Sequence, residues 1–145
     1  MIYTELTIKA LKLCFEAHKD QTDKSGVPYV FHPFHLAEQM TDEDSVCAAL
    51  LHDIVEDTEY TFDDIIAGGF SDRTIEALRL LTHDDSEPYM DYVRSIKDNP
   101  IAKAVKLADL AHNSDLSRFA GREITERDLK RREKYLQAVK LLKEK

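Results

Sequence analysis

The chain of 145 residues is poor in chain breakers, with only 4 Gly and 4 Pro. A turn-rich fold needs more of both, and the alternating β-branched runs that mark half-buried strands are also missing. These absences argue against a β-rich architecture and predict long helices. No stretch approaches the roughly 18 apolar residues of a membrane-spanning helix, so no membrane partner is expected. The N-terminus opens at once into an amphipathic segment, without a signal-peptide pattern. Only two cysteines occur, Cys14 and Cys47. Both lie in apolar helical surroundings and read as buried, reduced thiols, which points to the cytoplasm. A basic surplus is lacking as well: 20 Lys and Arg stand against 28 Asp and Glu, a formal net charge of −8. That disfavours a nucleic-acid polymer bound through a broad basic face, but leaves room for a small phosphorylated ligand held by local cations. Internal repeats, low-complexity tracts and linkers are absent, so residues 1–145 read as a single domain.

What is present is a series of amphipathic segments with helix start and stop signals. After an N-cap at Thr4, Leu6, Ala10, Leu13 and Ala17 recur at helical spacing. An irregular stretch follows and ends at His32-Pro33, where Pro33 suits the first turn of a helix through His35, Leu36 and Met40; His32 is expected just before it. Further starts are legible at Thr41, Asp42 and Asp44, at Thr61-x-x-Asp64, at Ser71 and at Thr125-x-x-Asp128. Tyr89, Tyr92 and Ile96 predict a helix ending near Asn99-Pro100. The last helix is expected to bury Leu129, Leu136, Val139 and Leu142. Its opposite face carries Arg127, Lys130, Arg131, Arg132 and Lys134, either as a solvated surface or as a contribution to phosphate binding.

The chemistry concentrates in AALLHDIVEDT, residues 48–58. On a continuous helix His52, Asp53, Glu56 and Asp57 fall in one sector roughly 140° wide. A buried helix bearing an imidazole and three carboxylates needs compensation, and a divalent metal supplies it; the alternative is a solvent-facing acidic stripe. The helix from Ile101 to Leu116 sets Asp109 and Asn113 at i and i+4 in a background of small apolar residues. Asp109 there needs a buried Lys or the same metal as its partner. His32 alone reads as a cap or packed residue, and His35 and His112 as packed or exposed. The His83, Asp84 and Asp85 cluster reads first as a solvated loop and second as another metal site. Taken together, His32, His52, Asp53 and Asp109 make a mixed nitrogen and oxygen donor set suited to Mn²⁺, Fe²⁺ or Zn²⁺. Glu56 and Asp57 are placed to orient or deprotonate a metal-bound water.

The pattern His…His-Asp…Asp resembles the HD superfamily of metal-dependent phosphohydrolases. More closely, AHKDQTDKSGVPYVFHP, AALLHDIVEDT and VKLADLAHN are similar, in order and spacing, to three signatures of RelA/SpoT-type (p)ppGpp hydrolase domains, and the length is that of the small single-domain alarmone hydrolases. The resemblance implies an all-α HD-domain helical bundle of about seven or eight helices. It implies Mn²⁺, or another divalent transition metal, on His32, His52, Asp53 and Asp109, and hydrolysis of the 3′-pyrophosphate of ppGpp or pppGpp to GDP or GTP and pyrophosphate. Glu56 and Asp57 become the catalytic acids; Lys24, Asn113, Arg131 and Tyr135 become substrate contacts. No synthetase domain follows, so pyrophosphate transfer from ATP is not expected. One position departs. Where the family carries an Arg against the guanine base, this chain has Asp23, which cannot stack as a cation but can accept from the N1–H and amino edge of guanine. Another phosphorylated nucleotide, such as NADPH, stays open as substrate, as does a nucleotide-sensing HD module without turnover.

Overall fold

The computed structural model describes residues 1–144, and those residues are all-helical. They form α1 (Glu5–His18), α2 (Phe31–Glu38), α3 (Glu43–Leu51), α4 (Ile54–Asp57), α5 (Phe62–Ala67), α6 (Asp72–Leu81), α7 (Tyr89–Ile96), α8 (Pro100–Asn113) and α9 (Glu126–Lys143), with a 3-10 turn at Leu116–Phe119. The bundle of about seven or eight helices expected from the sequence is what forms, with α4 a single turn set apart from α3. Extended pairing among the described residues is confined to a bridge between Thr22 and Pro28. Among the described residues no helix is long and apolar enough to cross a membrane.

The boundaries follow the capping chemistry. Thr4, Thr61 and Thr125 each close a capping box, and Asp42, Ser71 and Asn99 accept from the first free amides of α3, α6 and α8. Each such cap satisfies a donor that the helix itself leaves orphaned. Asp128 illustrates the electrostatic side. It accepts from the amide and hydroxyl of Thr125 and from Nη1 of Arg122 at 2.9–3.2 Å, and these bonds hold its pKa down at about 2. Because the folded-state value is depressed, this contribution to stability is fully present above the ordinary carboxylate pKa of about 3.9 and is lost as pH falls through about 2. The difference in thermal midpoint between wild type and Asp128→Asn is therefore expected to be constant at neutral pH and to shrink on acidification across that window.

Helix α3 is the axis of the molecule. It packs against α1, α2, α6 and α8, and every side chain from Ser45 to Leu51 is buried. The continuous helix expected through Thr58 does not form. The chain breaks at His52-Asp53, where Asp53 has φ −104° and ψ 1°, the sparsely allowed bridge region in which many site residues sit. The break turns His52 inward and lets α4 present Glu56 and Asp57 at a different angle. A second difference concerns α2: it starts at Phe31, two residues before Pro33, so its first turn already includes His32, whose amide bonds the carbonyl of Tyr29 at 2.9 Å. The third lies in α9, where Leu129 and Leu136 remain 49% and 38% exposed, and Ala138 and Leu142 are the buried apolar residues. The helix is rotated so that Asp128, Arg131, Arg132 and Tyr135 face a cleft instead.

Candidate metal centre and substrate cleft

Three helices bring one ligand atom each from His32, His52 and Asp109 to within 4.8 Å of one another. All three residues are buried, at 3%, 4% and 5% exposure. Nε2 of His32 lies 2.8 Å from Oδ1 of Asp109, and Nε2 of His52 lies 3.5 Å from that oxygen. Nδ1 of His52 donates to the carbonyl of Ala49 at 2.7 Å, which fixes the ring and leaves Nε2 facing the carboxylates. Nε2 is 3.0 Å from Oδ2 of Asp53, yet lacks the alignment of a hydrogen bond and has no partner. A buried imidazole nitrogen without a partner, between an imidazole and two carboxylates, fits a divalent cation. Asp53 lies beside the trio rather than within it, and its Oδ2 accepts from the hydroxyl of Tyr29.

The carboxylates of Asp53 and Asp109 make the same spot favourable for positive charge. Burial opposes a charge on His52, but Asp53 and Asp109 outweigh it and raise its pKa well above the usual imidazole range. Burial likewise opposes ionisation of Asp109, but Lys106 and the two imidazoles hold its carboxyl well below the usual range. The buried Lys contemplated as a partner for Asp109 exists: Nζ of Lys106 lies 3.0 Å from Oδ2, while Oδ1 takes the amide of Asn113 at 3.0 Å. One carboxylate oxygen is thereby tied to Lys106 and the other is presented to the two imidazoles.

Three supporting residues escaped the sequence reading, Lys106, His112 and Tyr29. Nδ1 of His112 lies 2.7 Å from Nδ1 of His32, with the rings stacked at 5.0 Å, so His112 orients His32 as the outer partner of a ligating imidazole does. Tyr29 does the same for Asp53. The signal for Lys106 and His112 was present as i−3 and i+3 spacing from Asp109 on α8. Tyr29 is linked to Asp53 only by the tertiary fold.

Glu56 lines a cavity of about 170 Å³ together with His52, Asp53, Lys106, Asp109 and Asn113, and it accepts from the amide of His83. Asp57 projects from the same short helix and is exposed. Partial burial raises the pKa of both, with Asp53 adding to the effect. Glu56 and Asp57 are thus more basic than ordinary carboxylates. The loop holding His83, Asp84 and Asp85 forms no second cluster of ligands among the described residues.

A larger cleft of about 340 Å³ adjoins this cavity and shares Asn113 and Tyr135 with it. Asp23, Lys24 and Arg131 line it, with Arg118, Arg122 and Arg132 adding positive charge. Partial burial and the neighbouring Arg131 lower the pKa of Lys24, so the two cations share one region. Asp23 is engaged by its own loop: Oδ1 accepts from the amides of Ser25 and Val27 at 2.8 and 3.0 Å, and Oδ2 lies 3.6 Å from Nη2 of Arg118. Arg118 also donates to Oδ1 of Asn113 at 3.1 Å. Its guanidinium therefore joins the Asp23 loop to the end of α8.

Residues 10–78 match the HD domain family model. Over 131 residues the chain is 34% identical to guanosine-3′,5′-bis(diphosphate) 3′-pyrophosphohydrolase MESH1 of Danio rerio, covering 79% of this chain and 71% of that one. It is 30% identical over 117 residues to guanosine-3′,5′-bis(diphosphate) 3′-pyrophosphohydrolase of Aquifex aeolicus, covering 72% of this chain and 17% of the relative. It is 33% identical over 131 residues to a GTP pyrophosphokinase of Streptomyces antibioticus, covering 82% and 16%. The chain thus spans about a sixth of the length of these last two relatives. Among solved structures it resembles a metazoan SpoT ortholog described as hydrolysing ppGpp, with a TM-score of 0.76 and 26% identity over 99% of this chain and 88% of that one.

Proposed function

Because the chain belongs to the HD-domain family of RelA/SpoT-type guanosine-3′,5′-bis(diphosphate) 3′-pyrophosphohydrolases, we propose that it hydrolyses the 3′-pyrophosphate of ppGpp and pppGpp. The observation that carries this reading is the unpartnered, buried Nε2 of His52 beside His32 and Asp109, set next to a cleft rich in Lys and Arg. His32, His52, Asp53 and Asp109 would hold one divalent ion, Mn²⁺ by the resemblance, which is among the metals the mixed donor set suits. A bound ion of this kind supplies Lewis acidity at phosphorus and lowers the pKa of a water.

The protein's own groups do the rest. Glu56 and Asp57, made more basic by partial burial and by the neighbouring Asp53, take the proton of the attacking water. The water oxygen bonds to the phosphorus next to the ribose, the bond from that phosphorus to O3′ breaks, and O3′ leaves with a proton as GDP or GTP. Asn113 and Tyr135, shared by the two cavities, hold the ribose end, and Lys24 and Arg131 neutralise the 5′-phosphates. A soluble nucleotide as substrate agrees with the cytoplasmic location expected from the reduced cysteines.

The test is a substrate panel on protein stripped of metal and reloaded with Mn²⁺: ppGpp, its adenine counterpart and NADPH. Turnover of ppGpp by the reloaded form alone is expected. Preference for NADPH would overturn the substrate, and tight binding without turnover of any of the three would make the protein a nucleotide sensor. The same panel tests Asp23. Asp23→Ala frees its loop and Arg118, far from the bond being broken, and is expected to raise KM severalfold with kcat nearly kept. If Asp23 reads the base, the guanine-to-adenine ratio of kcat/KM also narrows; an unchanged ratio assigns it to the loop alone.

A further inference from the structure

Helix α4 is a single turn of four residues, Ile54–Asp57. A helix that short does not hold itself, and its last carbonyls find no partner within it. The carbonyl of Asp57 takes its donor from elsewhere in the chain: Nε2 of Gln21, 36 positions earlier, donates to it at 2.9 Å. That bond decides which way the Gln21 amide faces. Its nitrogen is engaged by Asp57, and its oxygen Oε1 lies 2.8 Å from Nδ1 of His18. An amide oxygen only accepts, so Nδ1 of His18 carries the proton and donates. Nε2 of the same ring is then a bare acceptor, buried with no partner among the described residues. His18 is fully buried at the end of α1. An apolar side chain would fill that space without leaving a nitrogen unpaired, which is a costly state. The imidazole is there for what Nδ1 does. Its ring also packs on that of Tyr29, with centroids 5.0 Å apart, and Tyr29 donates to Asp53. His18 therefore reaches both ends of the short helix, Asp53 through Tyr29 and Asp57 through Gln21.

We propose that His18 is a positioning residue for Asp57 and acts through Gln21. Its Nδ1–H fixes the Gln21 amide, and that amide holds the end of α4 at the angle that presents the Asp57 carboxylate to the attacking water. This rests on the hydrolase reading and extends it, because it gives Asp57 a support of its own. Glu56 is steadied at its carboxylate by the amide of His83, whereas Asp57 is steadied at its backbone by Gln21. No bond forms or breaks at His18 or Gln21 during the reaction; the proton of the water still goes to the two acids. What the pair supplies is a fixed direction of approach.

The experiment measures kcat, KM and metal content with ppGpp on the Mn²⁺-loaded wild type, His18→Asn, His18→Gln and Gln21→Met. Asn sets its amide N–H near the place of Nδ1 and Gln sets its own near Nε2, so only Asn still donates to Gln21. His18→Gln and Gln21→Met are expected to lower kcat by roughly 10–100-fold, the scale of a misplaced catalytic group, with KM and metal content kept. His18→Asn is expected to restore kcat to within about threefold of wild type, because it keeps the donor. A residue that only packs gives the reverse order, since Gln fills more of the imidazole's volume than Asn. That reverse order, equal losses in the two His18 variants, or a loss that follows metal content overturns the assignment and leaves the hydrolase reading intact. Gln21 is only half-buried, so Gln21→Met carries the test if the His18 variants fail to fold, and wild-type kcat in it overturns the proposal. A second arm needs no substrate: hydrogen exchange of the Asp57 and Thr58 amides, read by NMR on the same metal-loaded proteins. Faster exchange in His18→Gln and Gln21→Met than in wild type and His18→Asn supports the tie to α4 even if wild type turns over no nucleotide, the outcome that sinks the hydrolase reading. Equal exchange in all four proteins counts against it.

Discussion

His52→Ala is expected to release the metal and to reduce hydrolysis to the metal-free background while the helices persist. The side chain lies where α3 breaks, and its one hydrogen bond within the protein goes to the carbonyl of Ala49. The residues that hold the break in the core are its neighbours Leu50, Leu51 and Ile54, all essentially fully buried, and the substitution leaves them in place. Far-UV circular dichroism should therefore stay near that of wild type. The ion loses a nitrogen that no nearby group replaces, since His32, Asp53 and Asp109 already count among its proposed ligands. The loss of affinity should exceed the roughly 10–100-fold that removal of an outer-shell partner costs. Elemental analysis after gel filtration reads the outcome. Full occupancy in the variant would place the ion elsewhere and remove His52 from the ligand set.

Glu56→Gln and Asp57→Asn are expected to lower kcat by about 10²-fold or more, the scale of lost general acid–base catalysis, with the metal still bound. Both substitutions keep shape and remove a basic site. Neither residue belongs to the trio of converging ligand atoms, which is why metal content should hold. Glu56 has the firmer geometry, since its carboxylate lines the cavity and is fixed by the amide of His83. Single-turnover rates with metal content measured on the same samples separate the roles. A loss of metal in either variant would make that residue a ligand, and near-normal rates in both would leave water activation to the ion alone.

The amino-acid sequence carried the helical architecture because the helix caps are local. Thr4, Thr61 and Thr125 satisfy amides three residues on, and such spacing is visible without tertiary knowledge. The convergence of His32, His52 and Asp109 was legible as well, through an unpaired-charge argument on two buried helices and through the motifs around them. What escaped depends on how helices are turned. Large aliphatic side chains in α9 pointed to Leu129 and Leu136 as core, yet the polar interactions of Asp128, Arg131 and Tyr135 at the cleft decide the rotation, and Ala138 and Leu142 do the packing. The break at Asp53 is likewise a tertiary event, because nothing in Leu51-His52-Asp53-Ile54 forbids a continuous helix. Lys106 and His112 sat at helical spacing from Asp109, but their partners lie on Asp109 itself and on α2. Arg118 is the clearest case: it meets Asp23 across 95 positions of chain, and only the fold brings the two together.

The most direct measurement of metal-dependent 3′-pyrophosphate hydrolysis at this site is turnover of ppGpp in ¹⁸O-labelled water by the Mn²⁺-loaded protein, with the products resolved by mass spectrometry. Attack on the phosphorus next to the ribose predicts GDP without label and pyrophosphate with a single labelled oxygen, and no products from metal-stripped protein. Label in GDP, inorganic phosphate in place of pyrophosphate, or undiminished turnover without metal would contradict the account.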